Sequence, residues 1–360
     1  MSTRSLIAST LRLHESEIAD NITKDIVLFK LFGDKDLAPK LFKMKKPEAG
    51  AKFAEGIKLH TDPGRSIVRK IRKARNGTVE AYERFDVIDT SPQDNFDEVE
   101  MPWKSIAGSC NLANEDLDKN SGSKTKIFDL LEASMDDLQI SEQEKTTEYL
   151  LGQRPADAIG LKRPSGLLDW VQDDPTTLPV SGSSAIGGID ASLAANSFWR
   201  NQVQDMAAAA FGTDQTGTGH SKLRQLLVSC RFGMMRPMFL YAGEDAYLAL
   251  QKSMVSQMRV TNYKVDTLAE ANIDAIVFDG LPVVLDRVID EVRQTAALNG
   301  SAIYALHVPT LRIDGMAKRW FKFGDFRAPT NQDSQVALMI TRLQMTCNSR
   351  RNQGVLFNVV

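Results

Sequence analysis

Apolar residues recur at two periods along this chain, and the change from one to the other divides it into segments. In residues 1–33, Ile18, Ile22, Ile26 and Phe29 follow three- and four-residue spacing and predict a helix that Gly33 stops. "KDLAPKLFKMKKPEAG" (35–50) breaks that pattern as a basic connector with two prolines. Next, "RSIVRKIRKAR" and "TVEAYERFDVID" flank Asn76-Gly77, the pair best suited to a tight type I′ turn, and predict a long polar hairpin. From Ser123 to Leu151 the period returns to helical: Ile127, Leu131, Met135 and Leu138 form one apolar stripe. Unbroken, that helix would be ~40 Å long. The string "SEQE" (141–144) matches a capping box and raises the alternative of a second helix starting there.

Residues 153–202 are turn-rich, and beyond them helices and strands alternate. The pattern predicts a helix over 221–232, a strand at "MFLY" and a helix through "EDAYLALQKSMVSQM". "DAIVF" and "LPVVL" (274–285) predict a hairpin closed by Asp-Gly. Period-two alternation in "SQVALMITRLQMTC" (Val336, Leu338, Ile340) predicts a half-buried strand, followed by a polar turn at "NSRRNQG" and a last strand, "VLFNVV". The fold class read from this order is α+β.

Composition narrows the function classes. At 360 residues the chain exceeds one small core and divides into two or three compact regions. A formal net charge of -2 exerts no overall pull towards nucleic acid or an acidic membrane, so electrostatic function must be local. The local asymmetry lies in the hairpin. Arg65, Arg69, Lys70, Arg72, Lys73 and Arg75 precede the turn, and Glu80, Glu83, Asp86 and Asp89 follow it. Three widely spaced cysteines argue against a disulfide framework and fit a reducing cytoplasm. No apolar run has the roughly 18 residues that span a bilayer, and the N-terminus lacks the apolar core of a signal peptide.

Candidate chemistry is sparse. "FGTDQTGTGHSK" (211–222) has the glycine spacing of a phosphate loop at Gly212 and Gly217, but Thr218 stands where its lysine belongs. A mobile exposed loop is the simpler reading. His14, His60, His220 and His307 have no metal-ligand spacing, and no nucleophile elbow is present. The acid pairs Asp136-Asp137 and Asp173-Asp174 read as solvated surface. No catalytic residue, cofactor or metal is called for. In "IGGIDASLAANSFWRNQ" (186–202), Gly187 and Gly188 read as a positive-φ turn, Asp190 and Ser192 as loop hydrogen-bonding residues, Phe198 and Trp199 as buried, and Arg200 as paired locally.

Four passages together resemble the major capsid proteins of tailed bacteriophages, which share the Hong Kong 97-type fold. They are "ERFDVIDTSPQDNFDEVEMPWKSIAGSC" (83–110), the helix at 123–151, "IGGIDASLAANSFWRNQ", and "RAPTNQDSQVALMITRLQMTCNSRRNQGVL" (327–356). Relatives often read Trp-Trp-Arg-Asn where Phe198 stands first here. The resemblance implies an N-terminal arm (1–50), an extended β-hairpin loop (51–103) and a peripheral domain with a spine helix (104–202). It further implies an axial domain (203–326) and return strands to the peripheral domain (327–360).

By the same resemblance the chain assembles with itself, as pentamers and hexamers, into an icosahedral head enclosing double-stranded DNA. A portal and a scaffolding function would be further partners, DNA contact would be non-specific, and the protein would reside in the virion after synthesis in the host cytoplasm. A chain that begins at Met1 is read as keeping its N-terminal segment. The expected subunit-interface set is Arg69, Arg72, Lys73 and Arg75 with Glu80, Glu83 and Asp86; the expected structural junction is Gly187, Gly188, Trp199, Arg200 and Asn201. Arg200 is expected to pair with the spine helix or a neighbouring subunit. Two other readings stay open: an α/β enzyme with a site built from distant residues, and a nucleic-acid-binding protein using the basic stretch 65–75.

Overall fold

Strand β12 (Ser334–Cys347) organises the first of two main sheets in this computed structural model. The structure describes residues 57–119, 124–155, 162–176, 186–207, 211–212, 218–233, 235–255, 275–298, 300–330 and 332–359. The helix expected in 1–33 and the connector 35–50 lie outside them. On one edge β12 pairs antiparallel with β4 (Lys104–Ala113). On its other edge it pairs with β10 (Leu311–Met316) and β11 (Lys322–Phe323), and β1 (Ile57–His60) adds in parallel to β10. The strand read in "SQVALMITRLQMTC" forms, but its buried face is the other one: Leu338 is exposed and Val336 and Ile340 are half-buried, whereas Ala337, Met339, Leu343 and Met345 are buried.

The second sheet has six strands in the order β5 (Gln202–Asp205), β13 (Gly354–Val359), β9 (Ser301–Leu306), β6 (Phe239–Ala242), β8 (Leu281–Leu285) and β7 (Ala275–Phe278). Helices cover both faces. Leu240, Ile303, Ala305 and Leu356 pack with Leu223, Leu226 and Leu227 of α4 (Thr218–Ser229) and with Ala246 and Leu250 of α5 (Glu244–Val255). Tyr241, Tyr304 and Val355 belong instead to the core shared with Ile289 and Val292 of α6 (Val288–Thr295) and with the first sheet. The Asp-Gly hairpin forms as expected, with Asp279 and Gly280 both at positive φ.

Two helices precede these: α1 (Asn114–Lys119) and α2 (Lys124–Leu151). Helix α2 is continuous for 28 residues, so the capping-box string at 141–144 does not start a new helix. Met135, Leu138, Leu150 and Leu151 are buried, and α2 packs across β4 and against α6. Gly108 on β4 permits the close approach, since a Cβ there would collide with Leu138. A short helix, α3 (Leu167–Trp170), follows and is wholly buried.

Two expectations change. The first is the hairpin. Strand β2 (Ser66–Arg72) pairs with β3 (Phe96–Pro102), not with the residues just after Asn76-Gly77, and 73–95 is a long connecting loop. The pairing is chosen by burial: Ile67 and Ile71 on β2 and Val99 and Met101 on β3 face the core, whereas 79–94 has no matching buried alternation. Asn76 accepts a hydrogen bond from the Thr78 N–H (3.0 Å), an Asx-turn in place of the type I′ turn. The second is strand placement: β10, from 203–326, pairs with β12 in the first sheet, and β13, from 327–360, lies in the six-stranded sheet beside β9.

Candidate functional site

The turn at Ile186–Ile189 is a bridge closed by two glycines at positive φ, +68° at Gly187 and +89° at Gly188. The pair meets different surroundings. A Cβ on Gly187 would overlap Val99 Cγ1 on β3, and the Gly187 carbonyl accepts the Glu100 N–H at 3.3 Å. Gly188 has open space around it. The glycines thus dock the turn on the base of the extended loop; they do not cradle an anion. Gly187→Ala should cost about 2–4 kcal/mol, a left-handed backbone penalty plus overpacking, and Gly188→Ala about 1–2 kcal/mol from the backbone alone. Urea unfolding midpoints of the two variants measure the difference, and equal midpoints would contradict it.

Beyond the turn, the loop closes on itself. Asp190 accepts from both the Ser192 N–H (2.8 Å) and its hydroxyl (2.6 Å), and these bonds hold its carboxyl below the usual range. Asn196 Nδ2 donates to the Asp190 carbonyl. Two short 3-10 turns over Ala194–Trp199, kinked at Asn196, then deliver Trp199, which is 1% exposed. Its indole N–H donates to the Ile186 carbonyl (3.2 Å), and its ring meets Trp170 edge-on at 6.1 Å. Arg200 pairs locally, as the simpler reading of the loop has it: it donates to the carbonyls of Ala191 (2.7 Å), Ser192 (2.9 Å) and Leu193 (3.3 Å). It ties up its own loop, because a nearby run of carbonyls with no strand partners matches its fork.

Asn201 leads to a residue the sequence reading did not single out. Its Oδ1 accepts from Arg350 (3.2 Å) and from the Gln172 N–H (3.2 Å), and its Nδ2 donates to the Gln172 carbonyl (2.7 Å). Arg350, 1% exposed, also donates to the Trp170 carbonyl (2.8 Å) and to Gln172 Oε1 (3.1 Å). Burial pushes its pKa down to about 10. Two residues on, Asn352 donates to the Cys230 carbonyl, and Gln353 brackets His307 and Thr310. Arg350, Asn352 and Gln353 of the polar turn "NSRRNQG" therefore form a buried knot where both sheets, α3 and α4 meet, while Arg351 faces out.

A second polar centre fixes the extended loop. Asp314 on β10 is fully buried. It accepts from Arg69 of β2 (3.0 Å), from Thr346 (2.5 Å) and from Arg312 (3.0 Å), with the His60 ring nitrogen at 2.8 Å. Arg69 also donates to Asn348. Its place on the same strand face as Ile67 and Ile71 carries it inward, so within one chain Arg69 is an anchor and not part of an exposed charged arm. The rest of that arm is exposed. Arg72 donates to the Ala74 carbonyl, and Lys73 meets Asp94 at 2.7 Å, which raises its pKa. Glu80, Glu83 and Asp86 do not face the basic strand; Asp86 accepts the Glu83 N–H in a local turn. The acids opposite β2 are Asp97, Glu98 and Glu100.

The remaining candidates are structural. Gly219 begins a helix against the Phe211 ring, where a Cβ would not fit, so this part of "FGTDQTGTGHSK" is packed. His60, His220 and His307 sit apart, on Asp314, Ser253 and Thr310 respectively. Asp173 is not solvated surface: it forms a two-pronged pair with buried Arg293 (3.1 and 2.8 Å), which also donates to the Tyr304 hydroxyl. Among the described residues, no group of three or more His, Cys, Asp or Glu could hold a metal ion, and no helix is long and apolar enough to cross a membrane.

The loop 73–95 leaves Val79, Tyr82, Phe85, Val87 and Ile88 exposed, Phe85 at 89% and Val87 at 96%. Such a run of wet apolar side chains is unusual on a lone chain.

No family model and no curated protein matches the sequence. Solved structures do. The capsid asymmetric unit of cyanophage A-1(L) is similar with a TM-score of 0.59 and 13% identity, covering 84% of this chain and 90% of that one. The capsid of a native GTA particle matches with a TM-score of 0.53 and 11% identity, over 88% and 96%. The capsid of Myoviridae phage XM1 matches with a TM-score of 0.51 and 11% identity, over 87% and 93%. The chain has the α+β, Hong Kong 97-type fold of tailed-phage capsid proteins.

Proposed function

We propose that this chain is a major capsid protein that assembles with itself into the icosahedral head enclosing double-stranded phage DNA. The observation that carries the reading is the extended loop. Its base is locked by Arg69 on Asp314, while its far end is exposed and carries apolar residues that none of the described residues covers. Shared fold with phage shells supports this. In this reading 1–50 form an arm, the segment around 51–103 reaches a neighbouring subunit, the first sheet with α2 is peripheral, and the six-stranded sheet is axial. The role is structural, with no catalytic step. Portal and scaffolding partners and non-specific DNA contact belong to the same proposal, as does residence in the virion after synthesis in the host cytoplasm.

The charge at the loop's base should matter to assembly and little to folding. Exposed pairs such as Lys73–Asp94 are worth ~0–1 kcal/mol within a chain, but in a closed shell the same contact recurs at every subunit. Arg72→Glu with Lys73→Glu should leave the unfolding midpoint nearly unchanged and sharply reduce shell yield in a sedimentation assay. Normal shells from that variant would remove Arg72, Lys73 and Arg75 from the interface. Phe85→Ser with Val87→Ser is the matching test of the loop's far end together with Glu80, Glu83 and Asp86.

A further inference from the structure

Two oppositely charged surfaces flank the six-stranded sheet, one on each face. On the α4 side, Arg231, Arg236 and Arg351 accompany exposed Phe232 and Met235, and exposed Arg224 lies over the Phe278 ring. Arg351 lies over the Phe232 ring at 4.6 Å, and Arg231 and Arg236 line a recess of about 170 Å³ against the Asp279-Gly280 turn. Among the described residues, Asp279 is the only carboxylate lining that recess. Arginine interleaved with exposed phenylalanine and methionine is the composition of a protein interface core.

On the other face, α2 and α6 enclose a groove of about 850 Å³. Glu144, Glu148, Asp286 and Glu291 line it, with Ile140 and Val288 as its apolar floor and rim. Glu144 and Glu291 are exposed, whereas Glu148 is shared with Lys145 and Arg163, and Asp286 accepts from the Tyr241 hydroxyl. Ile140 is itself exposed.

The sheet separates these surfaces. Its Leu240, Ile303 and Leu356 side points to α4, and its Tyr241 and Tyr304 side points to α6. Complementary patches on opposite faces of one unit cannot meet within a chain. They match the requirement of a head-to-tail contact, which closes into a ring when the rotation permits.

We infer that the arginine–phenylalanine surface of one copy seats in the acidic α2/α6 groove of a second copy, forming the seam between adjacent subunits of a ring. This rests on the shell-protein reading. Nucleic acid is the other polyanion such arginines could meet, but the exposed Phe232 and Met235 and the matched acidic groove favour protein.

A charge swap in the full-length chain tests the seam. Arg231→Glu with Arg236→Glu, and separately Glu144→Lys with Glu291→Lys, should each lower association at least roughly tenfold, since close interfacial charge pairs couple by more than that. Sedimentation velocity would show rings and shells giving way to single chains, with unchanged circular dichroism and unfolding midpoint. Combining all four substitutions in one chain restores complementarity and should recover rings. Folded reversal variants that assemble like the parent would overturn the seam and leave the shell reading standing, as would a four-fold variant that fails to recover. If, in addition, the Arg231→Glu/Arg236→Glu chain loses salt-sensitive retention on DNA while assembling normally, the arginine surface is a nucleic-acid contact instead. A parent chain that forms neither rings nor shells would sink both proposals together.

Discussion

Asp314→Ala is expected to lower the unfolding free energy by about 3–5 kcal/mol, the cost of leaving a buried charge without its partner. The carboxylate has no exposure, and Arg69, 7% exposed, loses its only anionic partner among the described residues when Asp314 goes. Arg312 is less dependent because it is partly exposed and can turn to water. The loss should appear in urea unfolding as a lower midpoint at unchanged slope. Because Asp314 joins β1, β2, β10 and β12, it should also free the base of the extended loop, making β2 more open to proteolysis. The paired replacement Arg69→Met with Asp314→Leu should recover much of the stability, since a buried ion pair is often matched by apolar residues of like volume. A midpoint within error of the parent for Asp314→Ala alone would show that the centre does not anchor the loop.

Arg350→Ala should be comparably severe, about 3–5 kcal/mol, through a different route. Here the cation is held by neutral oxygens, those of Trp170, Gln172 and Asn201, and removing it leaves buried acceptors without their charged donor. A cavity opens beside the Trp170–Trp199 pair as well. Arg350→Lys should not rescue it, because one ammonium cannot reproduce the planar fork that reaches three separate groups. Thermal melts of both variants decide this, and a lysine variant as stable as the parent would show that the geometry of the fork is dispensable.

What the sequence revealed follows the range of the interactions involved. The strand 334–347, the Asp-Gly hairpin and the long helix depend on near neighbours, and each forms with nearly the expected bounds. The Asn-Gly hairpin failed because a distant constraint prevailed: pairing β2 with β3 puts Val99 and Met101 opposite Ile67 and Ile71, and the turn had no burial to set against that. Arg69 read as one of six basic residues in a charged run, yet its alternation with Ile67 and Ile71 was a signal that it faces inward. Trp199 is buried as its loop suggested, and the glycine pair is a turn. Arg200 bonds to the carbonyls of its own loop, the local pairing its short sequence distance from them suggested. Asp314 and Arg350 were out of reach: a lone acid in "LRIDGM" and one of two arginines in a polar turn acquire roles only when strands far apart in sequence converge.

The interface residues and the seam are claims about more than one chain, so the decisive measurement is of assembly. Negative-stain electron microscopy of the purified full-length protein across a concentration series should show five- or six-membered rings and closed icosahedral shells. Sedimentation should shift from single chains to large particles as concentration rises. A protein that stays as dispersed single chains at every concentration and salt condition, while folded by circular dichroism, would contradict the account.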